Sequence, residues 1–175
     1  VAQVPEKYTT LKEAMQQALK GKAELLYAQG SNIWRDAQLQ KNGEFDKPMQ
    51  RGDNELLKAE AIKVAKDADI IVCAMGESAD MSGECGSRTN LEMPDVQHEL
   101  LAELVKLGKP VVLLNFSGRP TVLTWEKEHV PAIMNVWFGG SEVGDAICDV
   151  LFGDKVPSGK LTTSLPKTTG QEPLY

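Results

Sequence analysis

The sequence predicts an α/β fold, a three-layer α/β/α sandwich with a mostly parallel sheet of the doubly wound, flavodoxin-like kind. Three observations indicate this class. Segments 70–75, 110–115 and 131–136 are largely apolar runs, as expected for strands covered on both faces of a parallel sheet. Amphipathic helical patterns alternate with these runs. A polar or glycine-containing loop follows each run, at the strand end where such sheets bind ligands.

Length and composition restrict the class of protein. A chain of 175 residues with 42% hydrophobic content suits a single domain, residues 1–175. The formal net charge of −6 argues against a nucleic-acid partner, because binding to a phosphate backbone requires a basic face. No apolar run approaches the roughly 20 residues that a membrane helix needs, so no membrane span is expected.

Motifs for metals and cofactors are missing from the sequence. Cys73, Cys85 and Cys148 show neither CxxC nor Cys/His ligand spacing, so no metal site is expected. No GxGxxG follows a strand, and neither GxxxxGK[ST] nor GxSxG occurs. We therefore expect no cofactor and no serine nucleophile.

The remaining elements are predicted from local patterns. Thr10 and Glu13 have the spacing of a capping box, in which each side chain accepts from an exposed amide at a helix start. Segment 23–28 has the composition of a first strand, which should join the sheet. Further predicted elements are a helix capped by Asn54, a helix over 94–107 ended by Gly108, a short helix within 121–129, a helix capped by Ser141 that ends at Phe152, and an edge strand over 161–165.

A long polar excursion, residues 29–53, separates the first predicted strand from the regular part of the chain. It contains Trp34 and Phe45. These aromatic residues either pin the excursion to the body of the domain or cover a pocket as lids. Pinning is the more frequent role.

The loop over residues 76–93 carries the candidate chemistry. Glu77, Asp80 and Glu84 are close together in sequence, with Arg88 as the one nearby cation. Crowded carboxylates in a crevice raise the pKa of one another, which suits a general acid. The local sequence alone favours the simpler alternative, a solvated loop with a surface salt bridge.

A thiol nucleophile is a second possible chemistry of this loop. Cys85 would be the nucleophile, with His98 or His129 as its base. Both histidines are expected to be solvated, which weakens this hypothesis. Cys73 and Cys148 lie in apolar elements and are predicted to be small buried hydrophobic residues.

An ordered series of motifs resembles the C-terminal α/β-sandwich domain of glycoside hydrolase family 3 β-glucosidases. The resemblance covers about residues 55 to 170 and rests on the series rather than on any one motif. The motifs are Ser82-Gly83-Glu84-Cys85-Gly86-Ser87-Arg88, Leu91, Pro94, Gln97, Gly108-Lys109-Pro110, Gly118-Arg119-Pro120, Trp137-Phe138-Gly139-Gly140, Gly144, Leu151-Phe152-Gly153-Asp154 and Pro157-Ser158-Gly159-Lys160-Leu161.

The resemblance implies a role for this chain and for Glu84. In that family a TIM barrel supplies the nucleophilic aspartate and the sandwich domain supplies a glutamate as general acid/base. The matching position is Glu84. Met81, Ser82 and Arg88 are then candidates for substrate binding. Alanine at Glu77 or Asp80 is expected to cost much less activity than alanine at Glu84.

Several further expectations follow from the resemblance. The chain would be a fragment of a larger retaining β-glycosidase, without its TIM-barrel domain and inactive on its own. Its partners would be that barrel and a β-linked oligosaccharide or glycoside. A periplasmic or secreted location is favoured. The alternative is a non-catalytic carbohydrate-binding or domain-interface module of the same fold.

Overall fold

The computed structural model describes residues 8–42, 51–78, 81–83 and 86–171. The chain divides into two compact units, which we treat separately. The helical unit comprises Val1–Leu26 and Phe138–Thr162, and the sheet unit comprises Tyr27–Trp137 and Thr163–Tyr175. The helices are α1 (Leu11–Ala18), α2 (Ala37–Asn42), α3 (Asn54–Asp67), α4 (Asp95–Val105), α5 (Thr124–His129) and α6 (Val143–Leu151). The strands are β1 (Ile71–Gly76), β2 (Val111–Phe116) and β3 (Ala132–Asn135), and a 3₁₀ turn spans Thr169–Gln171.

The sheet unit has the predicted α/β fold. Its strands form one parallel sheet in the order β1-β2-β3. The apolar runs predicted at 70–75, 110–115 and 131–136 are these strands, so that part of the prediction is confirmed. β2 is the central strand, and its Val111, Leu113 and Leu114 are at most 1% exposed. The carboxyl ends of β1 and β2 therefore lie side by side, and their two exit loops are neighbours.

The sheet is smaller than predicted. Segment 23–28 is not a strand, and its Leu26 and Tyr27 are 38% and 58% exposed. Segment 161–165 is not a strand either, and Leu161 is 58% exposed. Both expectations were wrong because a strand needs a neighbour to pair with its backbone groups, and local composition does not supply one.

The helix ends follow the prediction in part. At α1 the predicted capping box is present, with Glu13 Oε2 accepting from the Thr10 N–H at 2.9 Å and Thr10 Oγ1 accepting from the Glu13 N–H at 3.3 Å. Gly108 has the expected left-handed conformation, with φ of 70°. Two predicted caps were wrong, because Asp53 rather than Asn54 caps α3, and Glu142 rather than Ser141 precedes α6. A cap depends on where the backbone leaves the helical conformation, which the order of two polar neighbours does not fix.

The helical unit contains α1 and α6, which pack against each other. Gly144 allows this contact, because a Cβ at that position would lie 2.8 Å from the carbonyl oxygen of Thr9 and 3.0 Å from that of Thr10. Within the described part of the chain, no helix is long and apolar enough to cross a membrane.

Candidate active site

The loop that follows β1 begins at a tightly held backbone. Gly76 has φ of 127°, a conformation that disfavours side chains. Its N–H donates to Gln97 Oε1 at 2.7 Å, and its carbonyl accepts from Gln97 Nε2 at 2.9 Å. Gln97 is 3% exposed and lies on α4. Its side-chain amide thus pairs with the backbone of the last residue of β1, as the backbone of a neighbouring strand would. The next amide, that of Glu77, donates to the carbonyl of Phe116 at the end of β2 at 2.7 Å.

Glu77 is the centre of the described part of the loop. Its side chain is only 1% exposed. Oε1 lies 2.5 Å from Arg88 Nη1 and 3.3 Å from Arg119 Nε. Oε2 accepts from the Ser82 hydroxyl at 2.5 Å and from the Gly118 N–H at 3.3 Å. A buried carboxylate needs such partners, because burial of an unpaired charge costs several kcal/mol, about 3 or more when one partner is removed.

Arg119 connects the loop after β1 with the loop after β2. Its Nη2 donates to the carbonyl of Met81 at 2.5 Å and to that of Gly86 at 3.3 Å. Its side chain is 21% exposed, and the Arg88 side chain is 8% exposed. Both guanidinium groups thus support the loop from inside. The expectation of a surface salt bridge in a solvated loop is wrong for Glu77 and Arg88.

The predicted catalytic and binding residues differ in how far the structure describes them. Glu84, Asp80 and Cys85 lie outside the described residues. Met81 is 6% exposed. The Ser82 hydroxyl and the Arg88 guanidinium both donate to the Glu77 carboxylate. Arg88 also donates to the carbonyl of Glu92 at 2.9 Å. The structure therefore brings the candidate binding residues together, but around an internal carboxylate.

Glu77 and Arg119 are the residues whose roles the sequence analysis did not find. The sequence predicts only a minor role for Glu77, as for Asp80, and Arg119 stands only within the motif Gly118-Arg119-Pro120. The usable signal was the order of the elements. Glu77 directly follows β1 and Arg119 follows β2, and loops that leave adjacent parallel strands at the same edge lie close together.

The excursion before α3 is pinned where the structure describes it. Asn32, 2% exposed, donates to the Gly52 carbonyl at 2.8 Å and accepts from the Gly52 N–H at 3.0 Å. Arg51 Nη1 donates to the Trp34 carbonyl at 2.9 Å, and the Arg88 guanidinium lies 5.2 Å from a Trp34 ring centroid. These contacts favour the pinning role for Trp34. Phe45 lies outside the described residues.

An open groove with a volume of about 1220 Å³ runs beside the loop. Trp34, Arg88, His98 and Glu126 contribute to its lining. The expectation that His98 is solvated holds in part, since its side chain is 38% exposed, but its Nδ1 also lies 3.0 Å from Oε1 of Glu126, a carboxylate that is 4% exposed. His98 thus keeps an exposed face on α4 while its ring pairs with a carboxylate of α5.

His129, the other histidine considered as a base, is also paired. Its ring stacks on that of Trp125, with centroids 4.4 Å apart, and its Nδ1 lies 2.8 Å from the Trp125 carbonyl oxygen. His129 is exposed, as expected, and these contacts hold its ring against Trp125. Among the residues that the structure describes, no group of three or more His, Cys, Asp or Glu side chains is arranged for a metal ion.

Two of the cysteines are buried, and their thiols should be inert in the folded chain. Burial raises the pKa of Cys73 to about 12. Burial, then Asp145 and Asp149, raise the pKa of the Cys148 thiol. We expect iodoacetamide at pH 8 to leave both unmodified in the native chain and to modify both in urea, as read by peptide mass spectrometry, because alkylation needs the thiolate. Rapid native labelling of Cys73 would contradict this burial.

Comparison with known proteins identifies the class. Residues 2–175 match the family described as the glycosyl hydrolase family 3 C-terminal domain. The chain is 41% identical over 178 aligned residues to a periplasmic β-glucosidase of Salmonella typhimurium, an alignment that covers 99% of this chain and 23% of the relative. A β-xylosidase of Formosa agariphila is 43% identical over 115 residues, or 66% of this chain and 16% of the relative.

Solved structures agree with this result. A β-glucosidase from Erythrobacter marinus has a TM-score of 0.81 and 31% identity, covering 96% of this chain and 24% of that one. A β-glucosidase from Listeria innocua, solved with gluconolactone, has a TM-score of 0.74 and 29% identity, covering 97% and 21%. The chain belongs to the glycosyl hydrolase family 3 C-terminal domain family. It spans about a quarter of the length of the Salmonella relative.

Proposed function

We propose that this chain is the C-terminal domain of a retaining β-glycosidase of the β-glucosidase type, and that it supplies Glu84 as the general acid/base. The observation that carries the proposal is the family match over residues 2–175. The relatives named β-glucosidase and β-xylosidase support cleavage of β-linked glycosides by the whole protein. Its proposed partners are such a glycoside and an upstream TIM barrel of the same protein.

The proposed chemistry needs two carboxyl groups. In a retaining glycosidase they stand about 5 to 5.5 Å apart, and one attacks the anomeric carbon to form a glycosyl intermediate. The other protonates the leaving oxygen and then removes a proton from the attacking water. We assign the second role to Glu84 and the first to an aspartate of the barrel.

Described contacts on both sides of this position support the proposal. The Gly83 carbonyl accepts from the Gly86 N–H at 2.9 Å, so the described residues on either side of positions 84 and 85 are hydrogen-bonded to each other. Substrate contact by Met81, Ser82 and Arg88 remains part of the proposal. The internal partners of Ser82 and Arg88 favour support of the loop over direct sugar binding by these two side chains. A periplasmic or secreted location also remains a proposal, supported by the name of the Salmonella relative.

The proposal predicts that the isolated chain is inactive. Purified chain should hydrolyse no p-nitrophenyl β-glucoside above background, because an acid without the nucleophile cannot form the glycosyl intermediate. The full-length protein that carries this chain should hydrolyse it, and release of nitrophenol measures both.

Other outcomes would support other functions. Turnover by the isolated chain that Cys85→Ala abolishes would favour the thiol nucleophile. A full-length protein that binds glucosides without cleaving aryl β-glycosides would favour the non-catalytic binding module.

A further inference from the structure

We infer that Glu77 is a positioning residue for the acid/base loop. Its buried carboxylate holds Ser82 and Arg88, which flank Glu84 in the chain, and so limits where Glu84 can lie relative to the substrate. The inference rests on the proposed role of Glu84.

The first observation is that one carboxylate holds both sides of the loop. Oε2 of Glu77 accepts from Ser82, two residues before Glu84, and Oε1 binds Arg88, four residues after it. A residue extends the chain by at most about 3.6 Å. Chain length alone therefore keeps the Cα of Glu84 within roughly 7 Å of the Cα of Ser82.

The second observation is that the same carboxylate is fixed to the sheet. The Glu77 amide donates to Phe116 at the end of β2, and its Oε2 accepts from the Gly118 amide. Arg119 adds donations to Met81 and Gly86 on the loop itself. The loop after β1 is thus attached to the ends of two paired strands. A productive site must hold its groups to within about 0.5 Å, and attachment to rigid elements makes that precision easier to reach.

The third observation is the charge balance of this network. Among the described residues, Glu77 is the one carboxylate within ion-pair distance of either Arg88 or Arg119. Loss of its charge would leave two guanidinium groups inside the loop with no described carboxylate to pair with. The loop would then have to open toward solvent or toward another anion, which would move the residues between its anchors.

The effect on catalysis should follow from misplacement of the acid. A shift of about 1 Å at a reacting group can cost about 10²-fold in rate. Protonation matters most when the leaving group is poor, so a misplaced acid slows a poor substrate more than an activated one. Simple loss of folded protein would lower both rates by the same factor.

The experiment uses the full-length protein with Glu77→Gln, Glu77→Asp and Glu84→Ala. We expect Glu77→Gln to lower kcat on cellobiose by about 10- to 100-fold. The loss on a dinitrophenyl glucoside should be smaller, and added azide should restore part of the latter rate. Glu77→Asp keeps the charge and should recover part of the loss. Glu92→Gln is the matched control, because it removes another carboxylate from the same loop. The described side-chain partner of that carboxylate is Asn90 alone, so all rates should stay near wild type.

Two outcomes would overturn the inference. One is an equal loss on both substrates without azide rescue in a Glu77→Gln protein whose melting curve shows it folded. The other is wild-type kinetics for that variant. If Glu77→Gln does not fold, Ser82→Ala removes one contact alone and should show the same substrate dependence in weaker form, and absence of that dependence counts against the inference. Failure of Glu84→Ala to discriminate between the substrates would instead disprove the proposed role of Glu84.

Discussion

Glu84→Ala in the full-length protein is expected to lower turnover of cellobiose by roughly 10²–10⁴-fold, the usual contribution of a general acid/base. The loss should be smallest for the first step of a nitrophenyl glucoside, whose leaving group needs little protonation. Both half-reactions should slow, because the same carboxyl that protonates the leaving oxygen later activates water. Steady-state kinetics on the two substrates measure this difference.

Azide provides the diagnostic test for that variant. A small anion can attack the glycosyl intermediate without a general base, so it should partly restore turnover of activated substrates by Glu84→Ala. Asp80→Ala is the matched control in the same loop and should lose much less activity, with no azide effect. Equal losses of Glu84→Ala on both substrates, with no rescue, would mean that Glu84 has a structural role.

The network around Glu77 changes one expectation drawn from sequence. Alanine at Glu77 was expected to cost little, as at Asp80. Because Glu77 is 1% exposed and binds both Arg88 and Arg119, its removal should cost activity and stability together. Its substrate dependence, rather than the size of the loss, distinguishes positioning from simple unfolding.

Gly76→Ala is expected to destabilise the fold by more than about 4 kcal/mol, or to prevent folding. A Cβ at this position would lie 2.0 Å from the carbonyl oxygen of Phe116 and 2.9 Å from its carbonyl carbon. Those atoms belong to the central strand and cannot move without breaking its pairing with β1. The φ of 127° adds backbone strain for any residue with a side chain.

Two further glycines serve as graded controls for Gly76→Ala. A Cβ at Gly108 meets nothing within 4 Å, but φ is 70°, so Gly108→Ala should cost about 1–2 kcal/mol from backbone strain alone. Gly159 also has nothing within 4 Å and no positive φ, so Gly159→Ala should stay within about 0.5 kcal/mol of wild type. Urea denaturation of the three variants measures the series. A Gly76→Ala protein as stable as Gly159→Ala would show that the end of β1 is not packed in this way.

The sequence by itself determined the features that depend on neighbouring residues. The three apolar runs became β1, β2 and β3, because a continuous run of buried side chains is a local property. Thr10 and Glu13 cap α1 as predicted, since both partners lie within one helical turn. The ordered motifs also sufficed to identify the family that the comparisons confirm.

The tertiary structure alone decided the features that depend on distant partners. Segment 23–28 is not a strand, because strand formation requires a paired neighbour. Glu77 and Arg119 lie 42 positions apart in sequence, and they meet because β1 and β2 pair in parallel register, with Gly76 opposite Phe116. His98 is held by Glu126 because α4 and α5 approach each other. Burial and charge pairing are properties of the assembled fold, so local sequence patterns could name these side chains without showing what they bind.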